Sequence, residues 1–207
     1  IAGWQREPER GSSEIMLDSH PLLSRSRIRL QTIVRLRWIA VLGQLLAILL
    51  VHFGLGFALP LVLCLAIIAT SATLNMVLRV LFPMRHRFSN TAATGLLLYD
   101  IMQLAFLLYL TGGIANPFVV MLTVPVTIGA TLLGGRAAVQ LIVLAVILLF
   151  ALWQWPLPLP WAGDPVVLPP TYLLAMFVAL TLGMLFLVTY GARISAESRQ
   201  RALALVA

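Results

Sequence analysis

The residues best placed to do chemistry are polar groups set inside long apolar stretches. Asp100 is the only charged residue between positions 88 and 135, and Gln103 follows three positions later, on the same face of a helix. A charged Asp at membrane depth costs roughly 2.5–3.5 kcal/mol on insertion scales, so it must face a bundle interior and find partners there. Gln44 and Asn75 are the candidate partners. Such a cluster serves either interhelical hydrogen bonding or a proton-linked or ligand-linked role.

The densest local signal is Tyr109-Leu110-Thr111-Gly112-Gly113-Ile114-Ala115-Asn116-Pro117-Phe118. One reading is a helix–turn–helix. Gly112 or Gly113 takes the left-handed conformation that ends a helix, Asn116 caps the next one and Pro117 is its first residue. The other reading uses the same turn as a binding site. The N–H groups and positive dipole end of a starting helix donate to a carbonyl oxygen. The paired glycines let a flat ring approach the backbone, and Tyr109 and Phe118 offer aromatic faces. A quinone head group fits these demands better than a phosphate, because no Arg is near. Pro125 removes a hydrogen bond to the Met121 carbonyl and permits a kink, either passive or a hinge that relays ligand occupancy.

Other chemistries fail on inventory. A haem site needs two His at membrane depth, and only His52 is near a candidate span; His20 and His86 are not. No metal-ligand spacing and no nucleophile–base pair falls within the apolar stretches. The single Cys, Cys64, sits in an apolar run and reads as core packing.

The elements that must position these residues follow from composition. Of 207 residues, 61% are hydrophobic and only 10% are charged, where a soluble domain carries about a quarter. That excludes a soluble globular enzyme and leaves a chain dissolved mostly in lipid. Residues 38–78, 88–135 and 137–192 carry no charge except Asp100 and Asp164. Each interval is long enough for two spans of about 20 residues and a turn. The expected fold is therefore all-α: a polytopic membrane protein with six transmembrane helices, near 36–55, 59–82, 91–111, 117–133, 137–153 and 171–192. The breaks fall at Gly54–Pro60, Gly112–Pro117 and the proline-rich stretch from Trp153 to Pro170.

The net charge of +7 comes from 14 basic residues, all Arg, against 7 acidic ones. With six spans every Arg falls on one side, which the positive-inside bias makes cytoplasmic, so both termini are cytoplasmic and the three hairpin tips face outward. Trp153, Trp155 and Trp161 then belong to the outer interface. Residues 1–20 are polar and read as disordered. Residues 21–37 interleave Arg with Leu, Ile and Val and read as a basic juxtamembrane segment held to anionic lipid. Nucleic acid is not an expected partner, since no aromatic platform accompanies the Arg residues. Residues 36–192 form the six-helix domain, and residues 193–207 read as the start of a cytoplasmic signalling helix. Beginning at Ile1 and stopping inside that helix, the chain reads as a piece of a longer protein.

With these motifs in place, the sequence resembles the RegB/PrrB/ActS family of membrane-bound redox-sensing histidine kinases. Gly112-Gly113-Ile114-Ala115-Asn116-Pro117-Phe118 matches the family's GGxxNPF signature. Arg35-Leu36-Arg37-Trp38, the Asp100/Gln103 pair, Leu108-Tyr109-Leu110-Thr111 and Pro125-Val126 match as well, and the likeness covers residues 20–207. The resemblance implies that the GGIANPF element, with Gly112, Gly113, Asn116, Pro117 and Phe118, binds ubiquinone; the residues themselves add Tyr109 as an aromatic face of that site and Asp100, Gln103 and Pro125 as candidate coupling residues. It implies a multi-pass protein of the bacterial cytoplasmic (inner) membrane, working as a homodimer. The family's ATP-dependent kinase and phospho-accepting His would lie in domains outside this chain, with a cognate response regulator as partner. The family's redox-active Cys belongs to those domains too, and Cys64 does not correspond to it. Two other readings stand beside this one: a small transporter with Asp100 as its coupling carboxylate, and a structural membrane subunit in which GGIANPF is merely a turn.

The topology has a direct check. In a Cys64→Ala background, Asp164→Cys is expected to react with a membrane-impermeant maleimide from outside intact cells. Arg136→Cys is expected to react only after permeabilisation, and the reverse pattern would invert the orientation.

Overall fold

A computed structural model describes residues 30–81, 89–160 and 168–204. The polar stretch 1–20, the basic residues up to Arg29, His86, Arg85, Arg87, Trp161 and Asp164 lie outside the described residues. The chain is an all-α polytopic membrane protein. Among the described residues, five helices are long and apolar enough to cross a membrane, and a shorter apolar one, Pro117–Leu132, stands between the third and the last two.

Helix α1 spans Leu30–Leu49 and runs into a wider π-type turn at Leu50–Gly54. It begins six residues before the expected start at 36. Arg, Leu and Gln are good helix formers, and no Pro or Gly interrupts residues 30–42. Helix α2 covers Leu61–Leu81 and α3 covers Asn90–Leu110. Ser89 caps α3 by accepting a hydrogen bond from the Ala92 N–H at 3.2 Å. Helix α5 is Gly135–Gln154, and α6 runs without a break from Pro170 to Ala204.

The fourth span departs from the uniform helix expected over 117–133. Pro117–Leu122 winds as a 3₁₀ helix, and α4 proper covers only Thr123–Leu132. Pro125 has no N–H for the Met121 carbonyl, and its ring crowds that turn of an α-helix. The chain responds with the tighter winding, in which Thr123 N–H reaches the Val120 carbonyl. Pro125 itself then falls in the first turn of α4, where a missing N–H costs least. At about 2.0 Å rise per 3₁₀ residue and 1.5 Å per α residue, the 16 residues reach about 27 Å.

Two cores share α3. The larger joins α3, α4, α5 and α6 around Ile101, Leu122, Val126, Leu141, Leu149 and Met184. The smaller joins α1, α2 and α3 around Val41, Cys64, Ile68 and Leu107. Helix α4 fits closely between its neighbours because small residues let the backbones approach. A Cβ on Gly129 would collide with the Leu141 side chain, and one on Gly191 of α6 would lie 3.1 Å from Thr131 Cγ2. Helix α1 leans mainly on α2. The hairpin tips meet on one side of the bundle, where Ala58 N–H donates to the Pro160 carbonyl at 2.9 Å.

Gly129→Val is expected to lower stability by about 1–3 kcal/mol through overpacking against Leu141. Gly95→Ala, on open helix surface, is expected to be neutral or stabilising by up to about 1 kcal/mol. Thermal unfolding in detergent measures both.

Candidate functional site

The glycine turn is built from satisfied hydrogen bonds. Helix α3 ends at Thr111, whose hydroxyl donates to the Leu107 carbonyl at 2.9 Å. Gly112 and Gly113 both take positive φ, 115° and 60°, a region that L-residues with a Cβ rarely enter. Asn116 then ties the turn together. Its Nδ2 donates to the Thr111 carbonyl at 3.1 Å and to Thr111 Oγ1 at 2.7 Å. Its Oδ1 accepts from the Phe118 N–H at 2.8 Å. Asn116 is thus the cap of the following helix and Pro117 its first residue.

The space beside the glycines is filled by the third tip. A Cβ on Gly112 would meet Leu159, and one on Gly113 would lie 3.0 Å from the Leu152 carbonyl oxygen. Tyr109 turns elsewhere. It stacks near Phe106, with 6.4 Å between ring centres, and lines a shallow hollow with Met102, Leu148 and Trp155.

A larger cavity, about 560 Å³, lies between α1, α3 and the fourth span. That size suits a small lipophilic ligand. Its outer end is formed by Asn116, Pro117, Phe118 and Leu159, and Pro125 contributes to the wall. Part-way along it stands a polar layer of Arg37, Gln44, Asp100 and Gln103, and beyond that layer Ile33, Ala93, Leu132 and Leu133 line its far end. Ile39, Phe118, Met121 and Val124 are exposed along its rim, so it opens sideways between α1 and the fourth span. Seven residues singled out from sequence, Asn116, Pro117, Phe118, Pro125, Asp100, Gln103 and Gln44, therefore line one cavity. Gly112, Gly113 and Tyr109 do not line it.

The polar layer differs from the sequence expectation in its partners. Asp100 pairs with Arg37 rather than with Gln44 or Asn75: Arg37 Nη1 stands 2.7 Å from Asp100 Oδ1. Arg37 Nη2 donates to Ser71 Oγ at 3.3 Å and Nη1 to the Leu96 carbonyl at 3.4 Å, while the guanidinium lies 5.4 Å from the centre of the Tyr99 ring. Gln44 pairs instead with Gln103 through two amide hydrogen bonds, at 3.0 and 3.4 Å. Asn75 donates to the Val34 carbonyl at 3.1 Å.

Arg37, expected to sit in a lipid-facing basic segment, is only 4% exposed. The expected helix start at 36 set it at the membrane edge. The earlier start at Leu30 puts it two turns into α1, level with a carboxylate that needs a counter-charge. That need was the signal sequence reading missed. A transporter built round Asp100 would need a polar path, whereas this carboxylate is held by Arg37 between apolar walls.

Sensor histidine kinase RegB from Cereibacter sphaeroides is 38% identical to the chain over 180 residues, which is 86% of this chain and 39% of the relative. A second Cereibacter sphaeroides protein of the same name is 39% identical over 79 residues, 38% of this chain and 17% of its own length. The chain thus spans about two fifths of the first relative. No family model matches it, and no solved structure does.

Arg37→Leu leaves Asp100 unpaired in a buried site and is expected to cost about 3–5 kcal/mol. Pairing it with Asp100→Leu should recover most of that loss. Thermal melting of the two variants measures the difference; equal melting points would show that the ion pair carries no coupling.

Proposed function

Because the chain belongs to the RegB family of sensor histidine kinases, we propose that its helices are the sensor portion of such a kinase and bind ubiquinone in the cavity between α1, α3 and the fourth span. The observation that carries this reading is the cavity itself: apolar, open sideways towards lipid, and bounded at its outer end by Asn116, Pro117 and Phe118. A neutral lipid-soluble ring reaches such a site without crossing water. Gly112 and Gly113 contribute by shaping the turn that carries Asn116, and Tyr109 by packing behind it.

Signalling in this reading is a shift between two helix arrangements. Oxidised and reduced quinone differ in hydrogen bonding, and only a difference in affinity for the two arrangements moves the balance. The ligand touches the fourth span, α4 packs on α6 at Thr131 and Gly191, and α6 carries the change along its length. A homodimer in the bacterial inner membrane passes it to an ATP-dependent kinase and a cognate response regulator. Asp100, Gln103 and Pro125 are the coupling residues.

A photoreactive ubiquinone is expected to label the chain saturably, with unlabelled ubiquinone competing. Phe118→Ala should weaken binding about tenfold, the effect of losing roughly 1–2 kcal/mol of aromatic contact. Undiminished labelling in both Phe118→Ala and Asn116→Ala would remove the outer end from the site.

A further inference from the structure

We propose that the layer of Arg37, Gln44, Asp100 and Gln103 is the head-group site of this cavity. It takes a lipophilic ligand by a carbonyl or hydroxyl oxygen, and the ligand's tail runs towards Phe118. The inference rests on the quinone reading above and adds to it where along the cavity the ring sits.

The first argument is where hydrogen-bonding capacity remains. At the outer end the side-chain donors are consumed. Asn116 spends both its N–H donors on Thr111 and its Oδ1 on Phe118, and Thr111 spends its hydroxyl on Leu107. At the polar layer capacity is left over. Arg37 is 4% exposed, lines the cavity, and has a buried Nε–H with no hydrogen-bond partner. An N–H of this kind in an apolar setting favours any ligand that supplies an acceptor. Gln44 and Gln103 bond to each other through one N–H and one oxygen each. Each amide therefore keeps a second N–H and a second lone pair.

The second argument is chemical. A quinone carbonyl only accepts hydrogen bonds, whereas the quinol hydroxyl also donates. The Arg37 Nε–H and the spare Gln N–H groups suit the carbonyl. The Asp100 carboxylate and the Gln oxygens suit the hydroxyl. The layer thus has partners for both states, but different ones. These residues sit on α1 and α3, so the two states would draw on the two helices differently.

The polar layer and the Asn116–Phe118 end are too far apart for one ring to engage both. Eight residues separate Gln103 from Thr111, about 12 Å along the axis of α3. The chain, reconstituted in lipid nanodiscs and irradiated with a ubiquinone azide-labelled on its ring, should form a saturable cross-link to residues around 37–44 or 100–107. Cross-links confined to residues 111–118 would overturn the head-group site while leaving the quinone reading standing. No saturable cross-link anywhere would overturn both. In parallel, Gln44→Leu combined with Gln103→Leu replaces both partners by apolar groups, which spares the fold. The double variant should melt like the parent and bind ubiquinone about tenfold more weakly. Unchanged affinity in a well-folded double variant would overturn the assignment.

Discussion

A charge inside a bilayer must be matched, and in this protein the match between Asp100 and Arg37 organises what surrounds it. Helix α1 leans chiefly on α2, and its polar links to α3 are long side chains, Arg37 to Asp100 and Gln44 to Gln103, beside the apolar packing of Val41 and Ile48 with Leu107. Long polar struts hold two helices at a distance that apolar side chains would close. The gap that results is the cavity.

The outer turn solves a different problem. Three hairpin tips converge, and each must satisfy its backbone polar groups near lipid, where an unmade hydrogen bond is costly. Asn116 does this for the second tip by serving both the end of α3 and the start of the fourth span. Gly112 and Gly113 supply the positive φ values, and without a Cβ they let Leu159 and Pro156 close over them. The signature is therefore a structural joint on one side and the end wall of a cavity on the other.

Much of this was legible in the sequence. Charge-free intervals located the helices, the proline and glycine clusters located the breaks, and Asn116 and Pro117 announced their capping roles by type. What sequence could not supply was depth along each helix. A shift of six residues in the start of α1 turned Arg37 from a lipid-facing residue into the partner of Asp100. Likewise, periodicity does not say which face of α3 meets the cavity. Gln103 and Tyr109 lie on one short stretch of helix yet serve different hollows. The change from 3₁₀ to α winding around Pro125 was readable as an irregularity, but its form depended on how Asn116 fixed the segment's first residue.

That winding has a consequence for the membrane itself. The hydrocarbon layer is about 30 Å thick, and the fourth span covers about 27 Å even with its extended first turns. Lipid beside a short span thins to meet it, at a modest cost for each ångström of mismatch. The cavity opens along this same span, so any thinning of the bilayer to meet the span falls at the cavity mouth. Chain length and order in the surrounding lipid thereby bear on the mouth, and the composition of the membrane becomes a second variable alongside whatever dissolves in it.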